Sequence, residues 1–160
     1  MKESSKHLAA AKVYYDFCKM MDDEEWKYEG NEEKLSIVCG AVGEDLPIEL
    51  NIRMDVDRQL VLVLSRLPYK VPEEKRVDVA VAVSVINNTL VDGNVEFDMA
   101  SGSVFFRMTN SYMDSNLSSE VYKYLLYCAS QTIDAFNDKL LMLSKGIIDV
   151  EQFIKLYNKE

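Results

Sequence analysis

The sequence predicts an α+β fold: an antiparallel sheet packed with helices, in the order helix, three or four strands, helix, two strands, long helix, short helix. Three observations carry this. Between Leu35 and Arg66, three runs alternate apolar and polar residues across short turns, the two-residue period of half-buried strands. Residues 5–22 and 118–145 instead repeat apolar residues at spacings of three and four, as amphipathic helices do. Between these stretches, Ile86–Met108 reads as a helix end, a stop, a strand, a turn and a return strand.

The bulk properties set the frame. A length of 160 residues suits a single domain spanning 1–160. A chain of that size hides roughly 70% of the surface its unfolded form exposes, so its core needs no staples. Eighteen basic residues face 27 acidic ones, for a net charge of −9. That balance argues against nucleic acid and anionic membranes, which call for neutralising cations, and it suits a basic protein partner. No apolar run reaches the ~20 residues of a membrane span, and the N-terminal stretch lacks a signal-type apolar region. The expected location is therefore cytoplasmic. Cys18, Cys39 and Cys128 are odd in number and far apart, without a Cys-x-x-Cys pair. They read as reduced structural thiols.

Taken in order, Ala10, Val13, Tyr14, Phe17 and Met21 form one apolar stripe, and Ser4 or Ser5 is placed to cap that first helix. Asp22–Glu25 puts four acids at the unfavourable end of its dipole and so marks an exposed exit. Trp26–Tyr28 is a candidate first strand. Leu35–Val42, Pro47–Met54 and Gln59–Arg66 follow as an antiparallel meander. Glu49, Asn51 and Arg53 turn the outer face of the second of these toward water.

Residues 72–89 pull two ways. Val77, Val79, Val81, Val83 and Val85 have the period of a strand. Pro72 with Glu73 and Glu74 opens a helix well, Asn87-Asn88 ends one, and a run of ~17 residues is long for a strand. The balance goes to a helix, tipped by the resemblance described below. Its middle is apolar nearly all round, so it needs cover on more than one side, from the sheet and from either a second subunit or the long helix folding back. After the hairpin, Asn110–Asn116 reads as a loop. Ser118 caps a helix to about Lys145 whose apolar stripe is Val121, Tyr124, Leu125, Cys128, Thr132, Ala135, Phe136, Leu140 and Leu143, and Gly146 ends it. Asp149 and Gln152 form a capping box for a last short helix.

The central stretch also carries a resemblance. Asn87, Leu90, Gly93, Glu96, Phe97, Asp98, Gly102 and Arg107 form the pattern Asn-Asn-x-Leu-x-x-Gly-x-x-Glu-Phe-Asp followed by Gly-x-Val-x-Phe-Arg. This resembles the YbjN family of small bacterial proteins, whose fold is similar to the class I type III secretion chaperones. The resemblance implies a helix over 72–88, a homodimer, and an extended partner segment wrapped around the protein. For the family itself it implies a regulatory label and no defined chemistry.

The candidate sites are few. His7 is the sole histidine and reads as a surface residue, because a catalytic triad needs a positioned base and an orienting group. Three scattered cysteines and one histidine lack zinc-ligand spacing, and Asp55-x-Asp57 lacks the rest of a calcium loop. Glu96 and Asp98 share a strand face without the contrasting environments that a catalytic carboxylate pair needs. There is no phosphate-cradling glycine loop. The expectation is a protein that is not an enzyme and takes no metal or cofactor: a chaperone-like or regulatory module binding a protein partner, basic or extended, by strand addition or groove docking. Met20, Met21, Trp26 and Tyr28 are the expected partner surface, since methionine-rich surfaces repack readily. Val77, Val81, Val83 and Val85 are the expected dimer interface. The alternative function is a small-molecule sensor with a pocket between the long helix and the sheet.

Overall fold

Alternation in the strands fixes which side of the sheet is covered. The computed structural model describes residues 2–158, with side chains from residue 5. α1 (Lys2–Asp23) leads into a meander of β1 (Tyr28–Asn31), β2 (Ser36–Val42), β3 (Pro47–Asp55) and β4 (Leu60–Lys70). A 3₁₀ turn, Glu73–Lys75, then opens α2 (Arg76–Thr89). β5 (Asn94–Asp98) and β6 (Ser103–Ser111) form a hairpin, and α3 (Ser119–Ser144) and α4 (Val150–Tyr157) close the chain. The six strands are antiparallel neighbours in the order β1-β2-β3-β4-β6-β5. Ile48, Leu50, Ile52 and Met54 of β3 are buried and alternate with exposed Pro47, Glu49, Asn51 and Arg53. The helices lie on the buried side, and one apolar cluster runs from Ala10 through the strands to Phe153.

Residues 72–89 are helical. Pro72 ends the extended stretch with φ −59° and ψ 151°, and its carbonyl accepts from the Lys75 amide at 3.0 Å. α2 buries Val79, Ala82, Val83 and Ile86. It packs against α3, α4 and β5 of the same chain. This corrects part of the expected interface: Val83 is buried in the core, and Val85 is half-covered. Val77 and Val81 remain exposed, at 68% and 43%.

Other boundaries and faces shift. α1 begins at Lys2, so Ser5 lies inside it, not at its cap; the Ser4 side chain lies outside the described residues. β4 runs on through Pro68 to Lys70, with a register shift between Arg66 and Lys70 that accommodates the proline. β6 continues to Ser111, into the expected loop. α3 turns a different face inward than its stripe predicts. Tyr122, Leu126, Ala129, Ile133 and Asn137 are buried, whereas Tyr124 is exposed and Val121, Cys128 and Thr132 sit at the margin. Ser118 takes the cap position without a side-chain cap bond. Gly146 ends α3 as expected: it accepts positive φ while the Ile147 amide bonds Met142 and its own amide bonds Leu143. The Asp149–Gln152 capping box is present on α4.

The motif residues explain the β5–β6 hairpin. The Asn87 amide group faces the Val95 backbone like a neighbouring strand: its Nδ2 donates to the Val95 carbonyl at 2.9 Å, and its Oδ1 accepts from the Val95 amide at 2.8 Å. Glu96 pairs with Arg107 across the strands. Asp98 accepts from the Ala100 amide and the Ser101 hydroxyl, and these bonds hold its carboxyl below the usual carboxylate range. Gly102 turns with φ +74° against Val71, whose carbonyl would lie 2.4 Å from any Cβ there. Arg76, at the start of α2, donates to the carbonyls of Met99 and Ala100, both at 3.0 Å.

Candidate functional site: a cleft where the sheet splits

β3 and β4 pair only near their connecting turn. Their ladder runs from Asp55 opposite Leu60 to Asn51 opposite Leu64 and stops there. Beyond that point, β3 stays paired with β2 as far as Pro47 opposite Val42, and β4 stays paired with β6. The two strands part, and a cleft of about 1070 Å³ opens between them. Ile48, Glu49, Arg66, Leu67 and Lys70 line its two walls; Val38, Cys39 and Gly40 of β2 and Lys27–Glu29 extend it to the sheet edge.

Several side chains hold this shape. Tyr69 crosses toward the helices and donates from its hydroxyl to the Asn137 carbonyl of α3 at 3.2 Å; burial pushes its phenol well up. Arg66 donates to the Ser103 hydroxyl at 2.9 Å and lies over the Phe105 ring, with 5.5 Å from Cζ to the ring centroid. Tyr28 bonds the Asp22 carboxylate at 3.0 Å, and burial chiefly raises its phenol. Cys39 is buried, and desolvation pushes its thiol up to about 11, so it stays a thiol at neutral pH. The tip of the β2–β3 hairpin is tied to α3, where the Glu44 amide donates to Asp134 at 2.9 Å.

Only some of the expected partner surface reaches this site. Tyr28 lines the cleft. Trp26 lies nearby, half-buried, its ring edge-on to Tyr127 with centroids 5.7 Å apart. Met20 and Met21 are corrections: both are buried on the inward face of α1 and offer no surface. Their α1 positions fall on the same inward stripe as Phe17, which explains the burial. The cleft also lies between strands and not between α3 and the sheet, where a sensor pocket was expected. Among the described residues, no group of three or more His, Cys, Asp or Glu side chains is placed to hold a metal ion. The three cysteines are unpaired thiols. No helix is long and apolar enough to cross a membrane among the residues described.

The family model for YbjN, described as "Putative bacterial sensory transduction regulator", matches residues 16–142. The chain belongs to the YbjN family. The matched span runs from within α1 almost to the end of α3 and takes in all six strands and the cleft. The chain is similar to the solved structure titled "Crystal structure of YbjN, a putative transcription regulator from E. coli", at 13% identity and a TM-score of 0.56, over 72% of this chain and 82% of that one. That likeness shows a shared fold. It is also similar to a chain in "Structure of the HopA1-SchA Chaperone-Effector Complex", at 14% identity and a TM-score of 0.46, over 84% of this chain and 92% of that one. No curated protein matches the sequence.

Proposed function

We propose that this member of the YbjN family is a non-enzymatic protein-interaction module of regulatory or chaperone-like type, and that the cleft between β3 and β4 is where its partner binds. The observation that carries the reading is the split itself: strand edges of a well-packed sheet stand open beside apolar Ile48 and Leu67 and aromatic Tyr28. Unpaired strand edges are ready-made templates for another chain. The family description as a regulator is in keeping with action through another protein. The narrow strip left open on α2, Val77 and Val81, is the surface a second copy would use in a homodimer. Affinity capture from the native cell followed by mass spectrometry tests the main reading. It expects a protein recovered in stoichiometric amount; repeated capture of nothing above background would overturn it.

A further inference from the structure

We propose that the β3–β4 seam takes a strand: an extended, acidic segment of a partner protein inserts between the two walls and completes the sheet. The inference deepens the protein-interaction reading and rests on it.

The register says why the seam stays open. Asn51 lies opposite Leu64, so continuing the ladder would set Glu49 opposite Arg66 and Pro47 opposite Pro68. The Met54 amide bonds Leu35 on the β2 side. Backbone groups alternate sides along a strand, so odd-numbered residues of β3 face β4. Closing the seam would therefore place two prolines at a position that needs two N–H donors, and neither has one. The walls keep what the prolines leave: the Glu49 and Arg66 amides and carbonyls, and the Pro47 and Pro68 carbonyls. These residues are exposed, so their free amides and carbonyls are open to an incoming strand that bonds them in place of water.

Size and charge narrow the occupant. A four-residue strand fills roughly 700 Å³ at the usual rise, strand spacing and sheet thickness, less than the 1070 Å³ of the whole cleft, which also takes in part of β2 and the start of β1. β3 and β4 are antiparallel, so an inserted strand runs parallel to one wall and antiparallel to the other. At the level of the prolines it must donate, since only carbonyls face it there. Lys27, Arg66 and Lys70 line the cleft against Glu29 and Glu49. None of these three cations is in an ion pair among the described residues. The lining thus carries three cations against two carboxylates in a chain whose net charge is −9, and this local positive excess selects an anionic segment. Apolar residues of that segment would face Ile48 and Leu67, with acidic ones alternating toward Lys70.

The test is display selection of random decapeptides on the full chain, followed by binding of the synthetic winners. The expected winners lack proline in their central residues and alternate apolar with acidic side chains. A Cβ on exposed Gly40, which lines the cleft, meets nothing closer than the Ile48 carbonyl at 3.8 Å, so Gly40→Trp is the variant that obstructs the cleft, with its melting temperature as the control for folding. It should weaken binding at least tenfold at unchanged melting temperature. Val42→Trp, on the same strand and fully exposed outside the cleft, should leave binding unchanged. Methylating alternate peptide nitrogens should weaken binding in either phase, since each phase removes the donors to one wall, whereas loss in one phase only would mean addition to a single edge. No selected peptide, winners that are basic, or binding indifferent to Gly40→Trp would each overturn the inference. A partner captured from cells that binds Gly40→Trp undiminished overturns the seam and leaves the broader reading standing.

Discussion

Asn87→Ala tests whether the asparagine of the hairpin motif acts as a substitute strand. The change removes two hydrogen bonds, of 2.9 and 2.8 Å, from the backbone of Val95, a residue only 2% exposed. A typical bond contributes ~1 kcal/mol net, and a buried group left without a partner costs about 1–3 kcal/mol. The expected loss is therefore about 2–4 kcal/mol, or roughly 5–15 °C in melting temperature for a chain of this length. Urea denaturation followed by circular dichroism measures it: the midpoint should fall while the slope stays constant, because the same surface is exposed on unfolding. Asn88→Ala is the internal control. Its side chain is exposed and makes no such bond, so it should stay within about 0.5 kcal/mol. Equal losses at the two positions, or less than ~1 kcal/mol at Asn87, would refute the clasp.

Further outcomes follow from the packing. The raised Cys39 thiol favours its protonated form in the folded state, so its stabilisation is complete below pH ~9 and lost as pH rises toward about 11; Cys39→Ala should flatten that alkaline limb in denaturation measured from pH 8 to 11. Gly102→Ala combines positive φ with a clash on the Val71 carbonyl and should cost more than ~1 kcal/mol by thermal melting. Val83→Asp puts a charge in the core and should prevent folding, whereas Val81→Asp should fold normally and halve the mass seen by light scattering; an unmodified protein already monomeric at tens of micromolar removes the dimer. Asp149→Ala removes the capping box and should cost ~1 kcal/mol, read as earlier exchange of the α4 amides.

What the sequence shows plainly is what local chemistry decides. Proline with acids after it opened α2 despite the alternating valines, Gly146 stopped α3, and Asp149 with Gln152 started α4. The inward face of α3 was less legible because apolar-looking residues flank it on both sides. Tyr124 and Cys128 belong to its margin, while Asn137, polar by composition, is buried. Pro68 obscured the last third of β4, since proline argues against a strand interior and is tolerated here only by a register shift. The cleft was hidden for a related reason. Pro47 and Pro68 mean little separately, 21 residues apart. They acquire a role only when the β3–β4 register is continued past Asn51 and Leu64, where it would set them opposite each other. Composition groups Tyr28 with Met20 and Met21, and only the structure separates them: Tyr28 lines the cleft, whereas both methionines lie on the inward stripe of α1.

The strand order has a consequence for the chain as it is being made. The meander up to β4 closes only short turns, but β4 gains its other neighbour, β6, across α2 and β5, with Leu60 opposite Ser111. At ~5–20 residues per second on the ribosome, the forty or so residues between β4 and the end of β6 take about 2–8 s to appear. For that interval the run Leu60–Leu64, Leu-Val-Leu-Val-Leu, has a bare edge and no proline. Bare apolar edges recruit one another. Nascent chains arrested shortly after Lys70 should therefore associate, and those arrested after Ser111 should not. For this protein the hazardous moment in biosynthesis falls between those two lengths, when the strand that later forms the centre of the sheet is still its border.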